Sequence, residues 1–275
     1  NLDSFKYNNQ DDDIYNHKIK KLRLDISEFV SSLPEKVLTG DDISLPENVI
    51  RKIFRFGEVS NDDIFYHLGC GIGNTVQIAA EEFGVKRSIG IEKSVEIASV
   101  AKKKVRRLKN AQIIVDDIRN VSLSDATVVL FWFNDERIAN QMTAKFKKET
   151  KDSIRILTIL SPLGLIKPSK VNFPFFMTMK PFEFYKDLQE QIETIHGTRC
   201  LDFTGSWNIA SRYVTEMDVV PGEYQRFVIM VQCMVIWINA WNMGIACESE
   251  IPPPVKAYIG ILKEFFNLDL SSMIQ

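Results

Sequence analysis

From Asp63 onward the chain alternates short apolar runs with amphipathic stretches, and this alternation restricts the fold more than any other feature. Residues 63–68 (DIFYHL), 87–91 (RSIGI), 111–115 (AQIIV), 126–133 (ATVVLFWF) and 154–160 read as strands. Residues 74–83, 94–108 and 135–149 read as the helices between them. ATVVLFWF shows no polar alternation, as in a strand buried on both faces. Strands alternating with helices imply the α/β class: a doubly wound, mainly parallel sheet covered on both sides. Upstream, residues 17–33 place Ile19, Leu22, Ile26, Phe29 and Val30 on one helical side, and 47–56 read as a helix entered through Pro46. Three segments result. Residues 1–56 form an N-terminal arm with helices and a loop, 57–170 the strand–helix core, and 171–275 a C-terminal elaboration. In the last, WNIASRYVTEMDVV (207–220) alternates like a strand and 255–267 read as an amphipathic helix. The segment is expected to finish the sheet with one or two strands and to add helices.

Composition narrows the functional classes. With 45% hydrophobic and 25% charged residues the chain is that of a globular protein able to build a large core. A net charge of -2 is wrong for a protein that coats nucleic acid as a whole, so any basic footprint must be local. Residues 102–109 (KKKVRRLK) are such a patch, suited to nucleic acid or to an acidic protein, and equally to the solvated face of a helix. Cys70, Cys200, Cys233 and Cys247 form no CxxC pair and are expected to be reduced and buried, as in a cytoplasm. Residues 227–247 carry no charge, a length that would span a bilayer. Gln225, Gln232 and Asn239 recur every seven residues, however, so this stretch is expected to be a buried or homo-oligomeric helix rather than a membrane span.

The first strand runs into a glycine loop, FYHLGCGIGN, and then a helix, which is a nucleotide-binding context. Glycines allow the tight turn and close approach of a ligand, and the helix start offers free N–H groups. A dinucleotide loop would need glycine at 74. Here Gly69, Gly71 and Gly73 are followed by Asn74, which favours S-adenosylmethionine over NAD. Glu92 ends the second strand and is placed to accept hydrogen bonds from ribose hydroxyls. Asp117, with Asp116 as the near alternative, ends the third and is placed to accept from an adenine amino group. His67 stands where an acid usually holds the ammonium end of the methionine moiety. Histidine, with an ordinary pKa of ~6.5, supplies no negative charge. Asp41 or Asp42, upstream, could replace it.

The stretch DDIFYHLGCGIGNTVQIAAEEFGVKRSIGIEKS, with VDDIRN and NQMTAKF beyond it, resembles the S-adenosylmethionine-binding core of the DOT-type protein-lysine methyltransferases, those without a SET domain. The resemblance covers roughly residues 39–165 and implies a Rossmann-like class I methyltransferase fold. It also implies that TGDD is the loop folding over the cofactor, with Gly40 and Asp41 matching that family's Tyr-Gly-Glu signature in kind and Thr39 not matching. Asn74 stands where the family has glutamine, and Glu92 and Asp117 match its ribose and adenine acids. At the fourth-strand end the family carries Asn-Asn-Phe and this chain Phe131-Trp132-Phe133-Asn134; microbial relatives carry an aromatic residue there, which Trp132 matches. The expected activity is methylation of a protein lysine in the cytoplasm, or in the nucleus or nucleoid if the acceptor is a chromatin protein. Trp132 and Phe133 would wall the acceptor channel, Asn134 would orient the amine, and no metal would be required. An RNA or small-molecule methyltransferase and a non-catalytic cofactor-binding or assembly module are the alternatives.

Overall fold

The computed structural model describes residues 44–133 and 136–275. The expected helix at 17–33, the Thr39–Asp42 turn with Gly40 and Asp41, and Asn134 lie outside the described residues. Helix α1 (Glu47–Phe56) starts behind Pro46 and buries Val49, Ile50, Ile53, Phe54 and Phe56 on one side. Strand β1 (Ile64–Leu68), α2 (Asn74–Glu81), β2 (Arg87–Glu92), α3 (Val95–Val105), β3 (Ala111–Val115), β4 (Val128–Phe131), α4 (Glu136–Glu149) and β5 (Arg155–Ile159) follow in the expected alternation. Strands β6 (Lys170–Asn172) and β7 (Phe175–Met179) then complete a seven-stranded sheet in the order β3-β2-β1-β4-β5-β7-β6. Strand β7 alone runs opposite in direction to the other six strands.

Two apolar layers hold the sheet. On one face α1 and α2 pack with Phe65, Leu130, Leu157 and Phe175, and on the other Met142 and Phe146 of α4 pack with Tyr66, Ile89, Val129 and Ile156. Burial on both sides explains the unbroken apolar run of β4. The strand order reverses between β1 and β4, and in open α/β sheets the crevice at such a point, beyond the carboxyl ends of the strands, takes the ligand. The opposite end of the sheet is tied shut. Asp63, almost fully buried, accepts from the Thr127 hydroxyl (2.7 Å) and the Ser60 N–H (2.8 Å) and pairs with Arg155. These residues stand at the starts of β1, β4 and β5.

The C-terminal segment departs from expectation in two ways. Residues 203–217 form helix α6 (Phe203–Met217), not a strand, after a short helix α5 (Leu188–His196). The Asp202 carboxylate caps α6 by accepting from the Gly205 N–H (2.6 Å). Ser206, Ala210, Val214 and Met217 are its buried residues, a spacing of four, four and three that fits a helix and overrides the apparent alternation. Helices α7 (Gly222–Asn242) and α8 (Pro253–Phe266) share a separate core of Met234, Trp237, Ile238, Val255 and Leu262. The uncharged stretch 227–247 is thus divided, because α7 ends at Asn242 and Gly244 turns the chain at φ +71°. No helix of the described residues is long and apolar enough to cross a membrane.

The second departure concerns the cysteines. Cys200 and Cys247 form a disulfide, with Cα atoms 5.0 Å apart, whereas Cys70 and Cys233 are free and buried. The chain brings the pair together by backbone bonds: the Leu201 N–H donates to the Ile245 carbonyl (2.9 Å) and the Cys247 N–H to the Leu201 carbonyl (3.1 Å). A separation of 47 residues leaves no local spacing by which to foresee it.

Candidate active site

The glycine loop is built by backbone conformation. Gly69, Gly71 and Gly73 all have positive φ (79°, 54° and 83°), where residues with a Cβ are strained. Gly69 is needed twice over, since a Cβ there would lie 2.8 Å from the Phe133 ring. At Gly71 a Cβ would meet nothing within 4 Å, so the loop opens onto free space above the strand ends. The loop is anchored beneath by the Gly69 and Cys70 N–H groups, which both donate to the Ile91 carbonyl (2.9 and 2.8 Å).

Glu92 lies against this loop. Its Oε2 accepts from the Gly71 N–H (3.0 Å) and its Oε1 from the Ser94 N–H (2.9 Å). An ionised carboxylate has about four lone-pair sites, so each oxygen keeps capacity for a further donor. Asp117 is more heavily engaged. Arg119 donates from Nε to Oδ1 (2.8 Å) and from Nη2 to Oδ2 (2.6 Å), and its backbone N–H also reaches Oδ1 (2.9 Å). This guanidinium holds the Asp117 carboxyl well below the usual carboxylate range. Oδ1 is filled, and only Oδ2 can take another bond. Asp116 accepts from the Asp117 N–H and the Asn120 amide (2.6 and 3.0 Å), which makes it a brace of the turn.

His67 sits under the loop rather than at its rim. It is 9% exposed, and its Nδ1 shares a hydrogen bond of 2.5 Å with the Thr75 hydroxyl in the first turn of α2. Burial pushes its pKa down to about 3, so the ring is neutral through the physiological range. Asn74 turns outward: its side-chain amide donates to Ser44 (3.4 Å) and its carbonyl accepts from Lys104 of α3. It therefore joins Ser44, upstream of α1, to α2 and α3. Beyond β4, Trp132 and Phe133 diverge. Trp132 packs with the α1–α2 layer, and Phe133 with the α4 layer, stacked on Phe131 at 5.1 Å. The Phe133 ring lies nearest to Gly69 of the glycine loop.

Residues 44–114 match the family described as "Histone methylation protein DOT1". A protein-lysine N-methyltransferase of Saccharolobus islandicus (strain REY15A) is 33% identical over 121 residues, covering 42% of this chain and 73% of that protein. The chain belongs to the DOT1-like class I S-adenosylmethionine-dependent methyltransferases. Among solved structures, an RNA methyltransferase from Salinibacter ruber in complex with S-adenosyl-L-homocysteine aligns with 53% of the chain and 99% of its own length. Its identity is 21% and its TM-score 0.49.

Three features of this methyltransferase went unread in its sequence. Thr75 as the partner of His67 could have been found from the eight-residue spacing across the loop, which carries strand end to helix start. Arg119 follows Asp117 by two residues, a local signal for an ion pair. Lys104, thirty residues from Asn74, left no such signal.

Proposed function

We propose that the chain is a protein-lysine N-methyltransferase, and that its cofactor lies across the glycine loop. S-adenosylmethionine supplies an electrophilic methyl group. In this reading Glu92 accepts from the ribose hydroxyls with its remaining lone pairs, and Asp117 Oδ2 accepts from the adenine amino group. Gly69, Gly71 and Gly73 let the ligand approach the backbone, while His67 positions the loop through Thr75. Gly40 and Asp41, upstream of Ser44, and Asn74 would hold the methionine end, where the buried neutral His67 leaves a charge to be supplied. Trp132 and Phe133 would keep water from the acceptor amine. A lysine, with an ordinary pKa of ~10.4, must lose its proton before it can attack, and an apolar wall favours the neutral form. Asn134 would orient that amine.

The observation that carries the reading is the aromatic end of β4, with Phe133 against Gly69, at the point where the strand order reverses. The S. islandicus relative's name agrees with it. Incubation with methyl-labelled S-adenosylmethionine and cell extract, followed by hydrolysis, should place the label in methyllysine. Label found only in RNA would support the second reading, which the exposed Lys102, Lys103, Arg106, Arg107 and Lys109 favour. Trp132→Ala should lower acceptor turnover at least tenfold, about 1.4 kcal/mol, with the cofactor Kd within twofold. An equal loss in both would remove Trp132 from the acceptor wall.

A further inference from the structure

Strand β5 breaks its own alternation at its exit. Ile154 and Ile156 belong to the α4 layer, and Leu157 and Ile159 to the α1–α2 layer. With a period of two, Leu160 would point back to the α4 side. It packs instead on the same cluster as Ile159. The cause is its backbone: φ is +70°, in the left-handed region that a bulky residue adopts only when its surroundings impose it. Two hydrogen bonds fix it there, from the Leu160 N–H to the Pro174 carbonyl (2.8 Å) and from the Thr158 hydroxyl to the Ser161 carbonyl (2.7 Å).

The conformation has a destination. Strands β4 and β5 pair in parallel register through Leu130 and Leu157, which sets Trp132 level with Ile159 and Leu160 one residue further out at the carboxyl rim. Trp132 continues one strand and Leu160 the other. Both are half-buried and both pack on the α1–α2 cluster. The strained turn thus moves a leucine off the far face and onto the face that carries Trp132. Glycine, which adopts this φ freely, would make the turn at less cost, but would place no side chain there.

We propose that Leu160 is a specificity-determining residue, which with Trp132 narrows the acceptor channel and limits how many methyl groups one lysine receives. This rests on the lysine reading above. In each round the amine lone pair forms the N–C bond, and the S–C bond breaks with its electrons left on sulfur. The resulting ammonium loses a proton to solvent before another round. Every added methyl widens the nitrogen head, so a fixed apolar wall acts against the second and third rounds more than the first.

The test compares the natural protein with Leu160→Ala and Leu160→Gly, using methylated products resolved by mass spectrometry, cofactor titration and thermal melting. Monomethyllysine should predominate with the natural protein. Both variants should raise the di- and trimethyllysine fraction at least fivefold while the cofactor Kd stays within twofold. The glycine variant should melt at or above the alanine variant, because it relieves the backbone. An active natural protein whose product distribution is unchanged in both variants would overturn the role of Leu160 alone. A tenfold loss of cofactor affinity in both would also overturn it, as the mark of a merely structural residue. A glycine variant melting well below the alanine one would refute the strained wall. No methyllysine from the natural protein would overturn the lysine reading and this inference together.

Discussion

The glycine-loop half of the molecule and its C-terminal helical layer are held by different means. The loop is set by local backbone geometry: three glycines at positive φ, two N–H groups on one carbonyl, and one carboxylate bonded to a loop amide. The helical layer is set by distant contacts, among them a disulfide across 47 residues and a core shared by α7 and α8. Its attachments to α1 include ion pairing of Lys52 with Glu216 (2.7 Å) and a hydrogen bond from Asn48 to Asp218 (3.0 Å), both near the surface. Met217 of α6 is buried in the α1–α2 cluster, so the two regions share part of one core and differ in what fixes their local geometry.

The strongest way to break this comparison is to open the disulfide. Closing a loop of this length stabilises by about 4 kcal/mol in the chain-entropy view. Cys200→Ser with Cys247→Ser should lower stability by roughly that amount, measured by denaturant unfolding, and should leave the cofactor Kd within twofold. A parallel fall in affinity would mean that the two regions act as one. The reciprocal change, Glu92→Ala, should weaken cofactor binding by roughly 1.5–3 kcal/mol, the scale of hydrogen bonds to a charged group, with little effect on melting of the C-terminal layer. Calorimetric titration that finds unchanged affinity would remove Glu92 from the site.

The last effect, absent at neutral pH, concerns His67. Its folded pKa, about 3, lies below its ordinary 6.5, so the unfolded chain binds the proton first as pH falls. Stability is complete above pH 6.5 and is lost as the pH drops toward 3, by up to about 1.4 kcal/mol per pH unit. Glutamine at this position keeps a polar partner for Thr75 and does not titrate. His67→Gln should flatten the acid slope of unfolding by one proton, leaving the contribution of half-buried His196, which burial lowers to about 4. An unchanged slope would show that His67 takes up its proton in the folded protein.

The same division explains what could be read in the sequence. The sheet, its crossovers and the glycine loop follow from patterns a few residues long, and β1, β2, β3 and α1 lie within one residue of their expected bounds. The place of Glu92 at the end of β2 was legible because a strand end and a loop fix it. The strand expected at 207–220 failed because Trp207, Ile209 and Tyr213 mimic alternation, while the buried face follows the helical spacing of Ser206, Ala210, Val214 and Met217. The cysteine pairing failed because it depends on how α6 and the end of α7 meet. Trp132 and Phe133 were found as a pair, yet neighbours on a strand point to opposite faces, and only the packing shows which one meets the loop.

The buried knot of Asp63, Thr127 and Arg155 gives the molecule a polarity of motion. It clamps three central strands at one end, like the rivet of a folding fan, while hydrogen bonds hold the glycine loop and the turn after β5 at the other. The opposite rim, where Gly69, Trp132 and Leu160 stand, carries no such buried ion pair among the described residues. In the proposed reading ligands enter and leave at that rim, and the base stays closed.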